Sequence, residues 1–404
     1  MKFKTLPIFL AFLCMGFGDV VGPLVGLAKD TFSLSYTMAQ LIPFVGFFMF
    51  GLLSVPVGIF QDKKGKKFIL ILGLFVALAG LIIPMLNGMV GTKTEFNPGE
   101  YFSFYMVLLS ILFLCAGATI LQVVGNPVMR DVSPEGAYSK NLTLAQSVKA
   151  VGSSLGFLLP PFVAVSFGWD WTILFPVFSV LIILTLLLSL PLKLNENAEN
   201  ATHTASFSSS LALLKNRYIL FMVLAIFFYV GAEVSMSSSV PILLKEVFGI
   251  TGFSLWASWA MFFLPIIIGR FTGSIILNWM SAKKFFVITN VIALIGIAAI
   301  FSTNEILTYI GIVLVGLGFA NIFPLVFSIT INYMPHRSNE LSGLMVTAIS
   351  GGAIIPLIMG KVADTTSILF SFVVPLICLV YIIYTSFVSI RKENVYVNKP
   401  GEVL

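Results

Sequence analysis

Charge is scarce in this chain. Aspartate, glutamate, lysine and arginine together supply 10% of its 404 residues, against about 25% in soluble domains. Hydrophobic residues take their place at 58%, which excludes a water-soluble globular protein and points to an integral membrane protein. Histidine is almost missing: His203 and His336 both fall in polar connections, so a histidine-rich metal site is excluded. The three cysteines, Cys14, Cys115 and Cys378, lie inside apolar runs. Their setting suits small packing residues rather than a disulfide set. No H-E-x-x-H pair, no G-x-x-x-x-G-K-[ST] phosphate loop and no sizeable polar domain is present. An enzyme and an ATP-driven pump both lose their support, and no cofactor is expected. Basic residues outnumber acidic ones, 23 to 17, but they form short clusters between apolar runs. Topology explains them better than nucleic acid does.

What is present is a series of apolar stretches, each long enough to cross about 30 Å of hydrocarbon. They fall near 5–27, 37–60, 67–87, 103–129, 141–167 and 171–192, then near 218–244, 252–279, 283–302, 305–332, 339–363 and 367–390. The first begins with basic residues but lacks a small-residue cleavage site, so it is taken as a span rather than a signal. Between the two sets lies KLNENAENATHTASFSSS, residues 193–210. Six spans, a polar break and six spans is the layout of a transporter built from two bundles. The expected fold is all-α: twelve transmembrane helices in two pseudo-symmetric six-helix bundles, 1–192 and 218–390. A cytoplasmic linker at 193–217 and a cytoplasmic tail at 391–404 complete the expected division. With both termini inside, seventeen lysines and arginines face inward and four outward, while Lys149 and Arg270 remain within spans. The positive-inside rule therefore predicts N-in and C-in.

A weak internal repeat supports two related halves. NLTLAQSVKAVGSSLGFLLP in span 5 lies over ELSGLMVTAISGGAIIPLIM in span 11, setting Gly152 against Gly351 and Lys149 against Ala348. GDVVGPL in span 1 parallels AEVSMSSSVPIL in span 7, setting Asp19 against Glu233.

GIFQDKKGKK, residues 58–67, resembles the loop between the second and third helices of the major facilitator superfamily, G-x-x-x-D-[RK]-x-G-[RK]-[RK]. In that reading Gly58 permits close helix approach, Gly65 a tight turn, and Asp62 pairs with a cationic side chain or a helix N-terminus. Arg130, at the inner end of span 4, is the expected partner, and the four form a cytoplasmic gate. Positive-inside charge alone explains the lysines but neither the aspartate nor the glycines. Three further stretches, FFYVGAEVSMSS (227–238), IGRFTGS (268–274) and LQVVGNP (121–127) with LTLAQ (142–146), together resemble the fucose:proton symporter family of sugar transporters. That resemblance implies proton-coupled uptake of a monosaccharide by alternating access across a bacterial cytoplasmic membrane. It also implies Asp19 as the membrane-embedded aspartate of proton coupling and substrate contact. Gln122 falls where the fucose transporter has glutamate and where glucose and galactose relatives resemble this glutamine. Asn126 and Gln146 match polar residues of the family, whereas Lys149 stands where an asparagine is expected. That departure leaves the sugar and the coupling ion open, with sodium coupling, facilitated diffusion and efflux of another solute as alternatives.

Physics supports a central polar site independently. Sugar hydroxyls donate and accept, so amides suit them, and an ammonium or carboxylate within a span costs about 2.5–3.5 kcal/mol unless compensated. Lys149 lies roughly 12 Å into its apolar run; snorkelling, a permanent pair, and a site residue balancing Asp19 or Glu233 all remain readings of it. Asp19 and Glu233 are either structural ion pairs or proton carriers. For Tyr229, one turn before Glu233, core packing stands beside a contact to the sugar. Asn321 and Pro324 interrupt span 10, as a tolerated proline or as a gating bend with Asn321 facing sugar. Gln122 and Gln146 stand between sugar contact and interhelical polar bonding. Trp256 and Trp259 suit a membrane-interface belt. The expected partners are a monosaccharide, a coupling ion and the lipid bilayer, with the protein a monomer.

Overall fold

A computed structural model describes residues 6–92, 101–132, 138–192, 211–334 and 338–397. The expected linker at 193–210 and both histidines lie outside them, as do the side chains of Asp62, Asn126, Arg130 and Gln146. Among the described residues, twelve helices are long and apolar enough to cross a membrane. Spans 1 to 6 are Leu6–Phe32, Tyr36–Gly58, Lys66–Leu86, Phe102–Gly125, Val148–Phe167 and Trp171–Ser189. Spans 7 to 12 are Arg217–Glu246, Ser254–Gly273, Ala282–Ile300, Glu305–Thr330, Gly343–Thr365 and Ile368–Ile390. No strand occurs among the described residues, as expected where every backbone group must bond within its own segment.

Two compact units result. One holds residues 1–205 together with 237–259; the other holds 206–236 together with 260–404. The far end of span 7 and the start of span 8 thus group with spans 1 to 6.

Glycine sets how closely the helices cross. A Cβ on Gly152 of span 5 would lie 2.1 Å from the Leu13 carbonyl oxygen of span 1. One on Gly351 of span 11 would lie 1.8 Å from the Phe227 carbonyl oxygen of span 7. Leu13 to Phe227 is the same 214-residue step as Asp19 to Glu233, so the two halves repeat this crossing position for position. The crossing of span 3 with span 4 is repeated in the same way by that of span 9 with span 10. Gly80 abuts the Ser110 carbonyl oxygen and Leu114 nitrogen, and Gly296 abuts those of Gly311 and Val315. Gly117 meets Gly73 and Ala77, and Gly318 meets Thr289 and Ala293. Small residues at such points let backbones touch, and membrane helices associate largely by that packing.

Several spans are locally irregular, span 11 among them with a 3₁₀ turn at Ala348–Ser350. Span 1 tightens into a 3₁₀ turn at Gly16–Val20, span 8 widens into a π turn at Trp259–Phe263, and span 10 breaks at residues 320–321 between Glu305–Phe319 and Ile322–Tyr333. Such turns inside long helices mark hinges and functional sites. At the junction of spans 2 and 3, Gly65 adopts φ +85°, a backbone conformation that favours glycine. Gly58 departs from its expected role: among the described residues, a Cβ there would meet nothing within 4 Å. Among the described residues, no neighbouring helix comes close enough to that face for the glycine to serve a crossing.

Candidate functional site

The first cluster grows from the irregular turn of span 1. Gly16 brings the span 1 backbone against span 5: a Cβ on it would lie 2.2 Å from the Lys149 carbonyl oxygen and 2.7 Å from the Ser153 nitrogen. Asp19, one turn on, therefore meets the side chains of both residues. Lys149 Nζ sits 3.2 Å from Asp19 Oδ2, and the Ser153 hydroxyl donates to the same oxygen at 2.8 Å. Lys149 and Asp19 keep 19% and 30% of their side-chain surface exposed, so the pair is neither sealed in the core nor free in water. The partner of Lys149, open in the sequence, is Asp19 rather than Glu233. Two donors converge on Oδ2, and among the described residues no hydrogen bond engages Oδ1.

Span 4 closes the other side of this turn. A Cβ on Gly18 would lie 2.8 Å from Ala118 Cβ, and the Cys115 thiol donates to the Gly18 carbonyl oxygen at 3.6 Å. Gln122 follows Cys115 by two turns, on the same face of the helix. Its Oε1 is buried without a hydrogen-bond partner among the described residues, a condition native structures satisfy with water or a ligand. Asn126 and Gln146 belong to the same two helices, their side chains outside the described set.

The second unit holds its own charged group. Arg270 Nη2 of span 8 lies 3.7 Å from Glu233 Oε1 of span 7. The Arg270 Nε also donates to the Ala320 carbonyl oxygen at 3.3 Å. Pro324 explains that second bond: it has no N–H to return to residue 320, and arginine fills the vacancy. Asn321 Nδ2 donates to the Gly269 carbonyl oxygen at 2.7 Å. A Cβ on Gly273 would lie 2.3 Å from Asn321 Oδ1, and one on Gly269 would lie 2.6 Å from Ala320 Cβ. The glycines and arginine of IGRFTGS are thus shaped to the break in span 10. Asn321, 6% exposed, braces that break.

Tyr229 is fully buried, its ring edge-on to Phe319 with centroids 5.6 Å apart. Its hydroxyl lies beside Glu233 and Arg270 without meeting hydrogen-bond geometry. Packing behind the ion pair, rather than exposure to a solute, is what the structure gives it here. Trp256 and Trp259 do more than mark an interface. Their indole N–H groups donate to the Leu158 carbonyl oxygen and the Ser154 hydroxyl of span 5, each at 3.0 Å.

Sequence reasoning passed over Ser153. Serines are common between membrane helices, and only the approach of Asp19 sets this one apart. Its place one turn after Lys149, on the same face, was the available signal.

Comparison with known proteins places these features. The model of the Major Facilitator Superfamily matches residues 8–357. A glucose/galactose transporter of Brucella abortus biovar 1 (strain 9-941) is 27% identical over 96% of this chain and 95% of its own length. The L-fucose-proton symporter of Escherichia coli (strain K12) is 25% identical over 91% of this chain and 88% of its own. Among solved structures, that of an E. coli fucose:proton symporter superposes with a TM-score of 0.67 at 21% identity, covering 96% of this chain and 99% of that one.

Proposed function

The chain belongs to the Major Facilitator Superfamily, and from that premise we propose that it takes up a monosaccharide by alternating access, coupled to protons. It is a multi-pass membrane transporter, not an enzyme. The sugar class rests on similarity along nearly the whole chain to a relative named a glucose/galactose transporter. Proton coupling rests on similarity to an L-fucose-proton symporter. The orientation with both termini inside a bacterial cytoplasmic membrane rests on the lysine and arginine bias. The working unit is a monomer of two six-helix bundles, 1–192 and 218–390, joined by a cytoplasmic linker at 193–217 and followed by a cytoplasmic tail at 391–404.

The observation that carries the mechanism is the convergence of Lys149 and Ser153 on one oxygen of Asp19. With Asp19 ionised, the ammonium is engaged and the two charges offset each other. Protonating Asp19 removes that attraction and frees the ammonium to donate to a sugar oxygen. Oδ1 of Asp19 and Oε1 of Gln122 are open to accept from sugar hydroxyls, with Asn126 and Gln146 contributing amides from the same helices. Loss of the proton on the inner side restores the pair and displaces the sugar. Proton and sugar then load together and leave together.

Glu233 is the second candidate for coupling, with a different consequence. Its partner is tethered to the break in span 10 and carries a guanidinium that stays charged. A proton on Glu233 would loosen Arg270, and through Ala320 and Asn321 the bend, so its role is to report protonation to a gate. Tyr229 supports it from behind. On the inner face, Gly65 turns the chain between spans 2 and 3, and Asp62 and Arg130 are proposed to pair across the gate beside Gly58.

Counter-flow in proteoliposomes tests the sugar class. Vesicles preloaded with glucose, galactose or fucose should draw in labelled sugar of the same kind. Counter-flow with no monosaccharide, or competition by lipophilic cations instead, would overturn the reading in favour of efflux of another solute.

A further inference from the structure

The far ends of spans 1 and 7 carry the same arrangement of charge, Lys29-Asp30 and Lys245-Glu246, and the structure pairs them reciprocally. Lys29 Nζ lies 3.0 Å from Glu246 Oε1, and Lys245 Nζ lies 2.5 Å from Asp30 Oδ2. Tyr36, at the start of span 2, ties the cluster together. Its hydroxyl donates to Glu246 Oε2, and its ring sits under Lys29, with Nζ 4.4 Å from the centroid. Five side chains from three spans thus meet at one level, where positive-inside topology places few charges and explains none of these.

The seam beneath them is made to part. A Cβ on Gly22 would lie 2.2 Å from the Ser237 hydroxyl oxygen, and one on Gly26 would lie 3.4 Å from Ile242 Cγ1. Gln40 of span 2 donates to the Ser238 hydroxyl at 3.1 Å. Two of these are contacts to glycines and the third is a single hydrogen bond, with Ile242 the one large side chain among them. These contacts gather 237–259 into the same compact unit as spans 1 to 6.

We propose that the two reciprocal ion pairs, with Tyr36, form a latch that holds the outer ends of spans 1 and 7 together and releases them once per transport cycle. The proposal rests on the orientation with both termini inside. Strength is the physical argument. Ion pairs that keep contact with water each shift an equilibrium by a factor of only about 1.4 to 5, so two of them bias an opening without locking it. Half-exposed charges are also screened by salt. External ionic strength therefore tunes how long the entrance stays shut.

Ile242, 5% exposed in the seam below the charges, supplies the reporter. In cells carrying Ile242→Cys, the rate of labelling by a membrane-impermeant thiol reagent measures opening. Lys29→Glu sets like charges together and should raise that rate severalfold; Lys29→Glu with Glu246→Lys should return it to the starting value. Raising external salt from about 0.1 to about 1 M shortens the screening length from ~10 to ~3 Å and should speed labelling with no charge substitution at all. Equal rates with and without Lys29→Glu, a double variant as fast as the single one, or a rate flat with salt would each overturn the latch. Thr251→Cys, exposed in the loop after span 7, must label from outside. Silence there would overturn the orientation and the outer placement of the latch, separately from any result at Ile242.

Discussion

At the scale of single residues, Lys149 is the departure that most defines this carrier. An ammonium in a span needs compensation, and Asp19 supplies it at 3.2 Å. Lys149→Asn should weaken sugar binding by at least about tenfold, in line with losing a charge-assisted hydrogen bond of ~1.5–3 kcal/mol. It should also change the pH profile of uptake, because Asp19 then faces no ammonium. Lys149→Arg should recover only part of the affinity, since a planar guanidinium does not fit the point-charge geometry shared with Ser153. Uptake against pH at matched surface expression checks both; superimposable profiles and affinities would reduce Lys149 to packing. Asp19→Asn keeps the shape but cannot ionise, so accumulation against a gradient should fail while exchange persists. Charges within spans were legible because hydrocarbon makes each one conspicuous. Which carboxylate Lys149 would choose was not, since partner choice depends on how close Gly16 and Gly152 let two backbones come. Tyr229 stood open between core packing and a sugar contact for a related reason: sequence shows an aromatic beside Glu233, not the Phe319 ring that packs edge-on against it.

At the scale of elements, the spans were legible because about twenty apolar residues in a row leave few alternatives. The repeat was legible as well, and the glycine crossings give it physical form. Gly152→Leu forces a side chain into the Leu13 carbonyl, and overpacking of this kind costs about 1–3 kcal/mol or more. Purified Gly152→Leu should therefore unfold at a clearly lower temperature than wild type in a thermal-shift assay. Gly58→Ala, facing open space, should hold or gain stability by about 0.5–1 kcal/mol, the usual advantage of alanine over glycine in a helix. A loss at Gly58 equal to that at Gly152 would contradict the crossing account. The break in span 10 was readable from Pro324, but its repair was not. Arg270 is 54 residues away in sequence, and no local pattern connects an arginine to a carbonyl that a distant proline has left unbonded. The same limit hid the indole bonds of Trp256 and Trp259, whose position near a span end suits an interface belt equally well.

At the scale of the whole molecule, family membership and twelve spans make the chain a transporter; direction and coupling are proposed from its charges. In the proposed cycle, Asp19 with Lys149 loads a proton and a sugar together, Glu233 with Arg270 passes protonation to the bend of span 10, and the outer latch sets how readily the entrance opens. Sequence motifs spread along the chain led to the proposal of a sugar, and resemblance alone set proton coupling ahead of sodium-coupled and uncoupled transport. That ranking depends on which group releases which partner. The most direct measurement is sugar accumulation in proteoliposomes containing the purified protein, with an inward proton gradient imposed and no sodium present. The account predicts that internal glucose or galactose rises above the external concentration and that a protonophore collapses it to equilibrium. Equilibration without accumulation, or accumulation that needs sodium and ignores the protonophore, would contradict it.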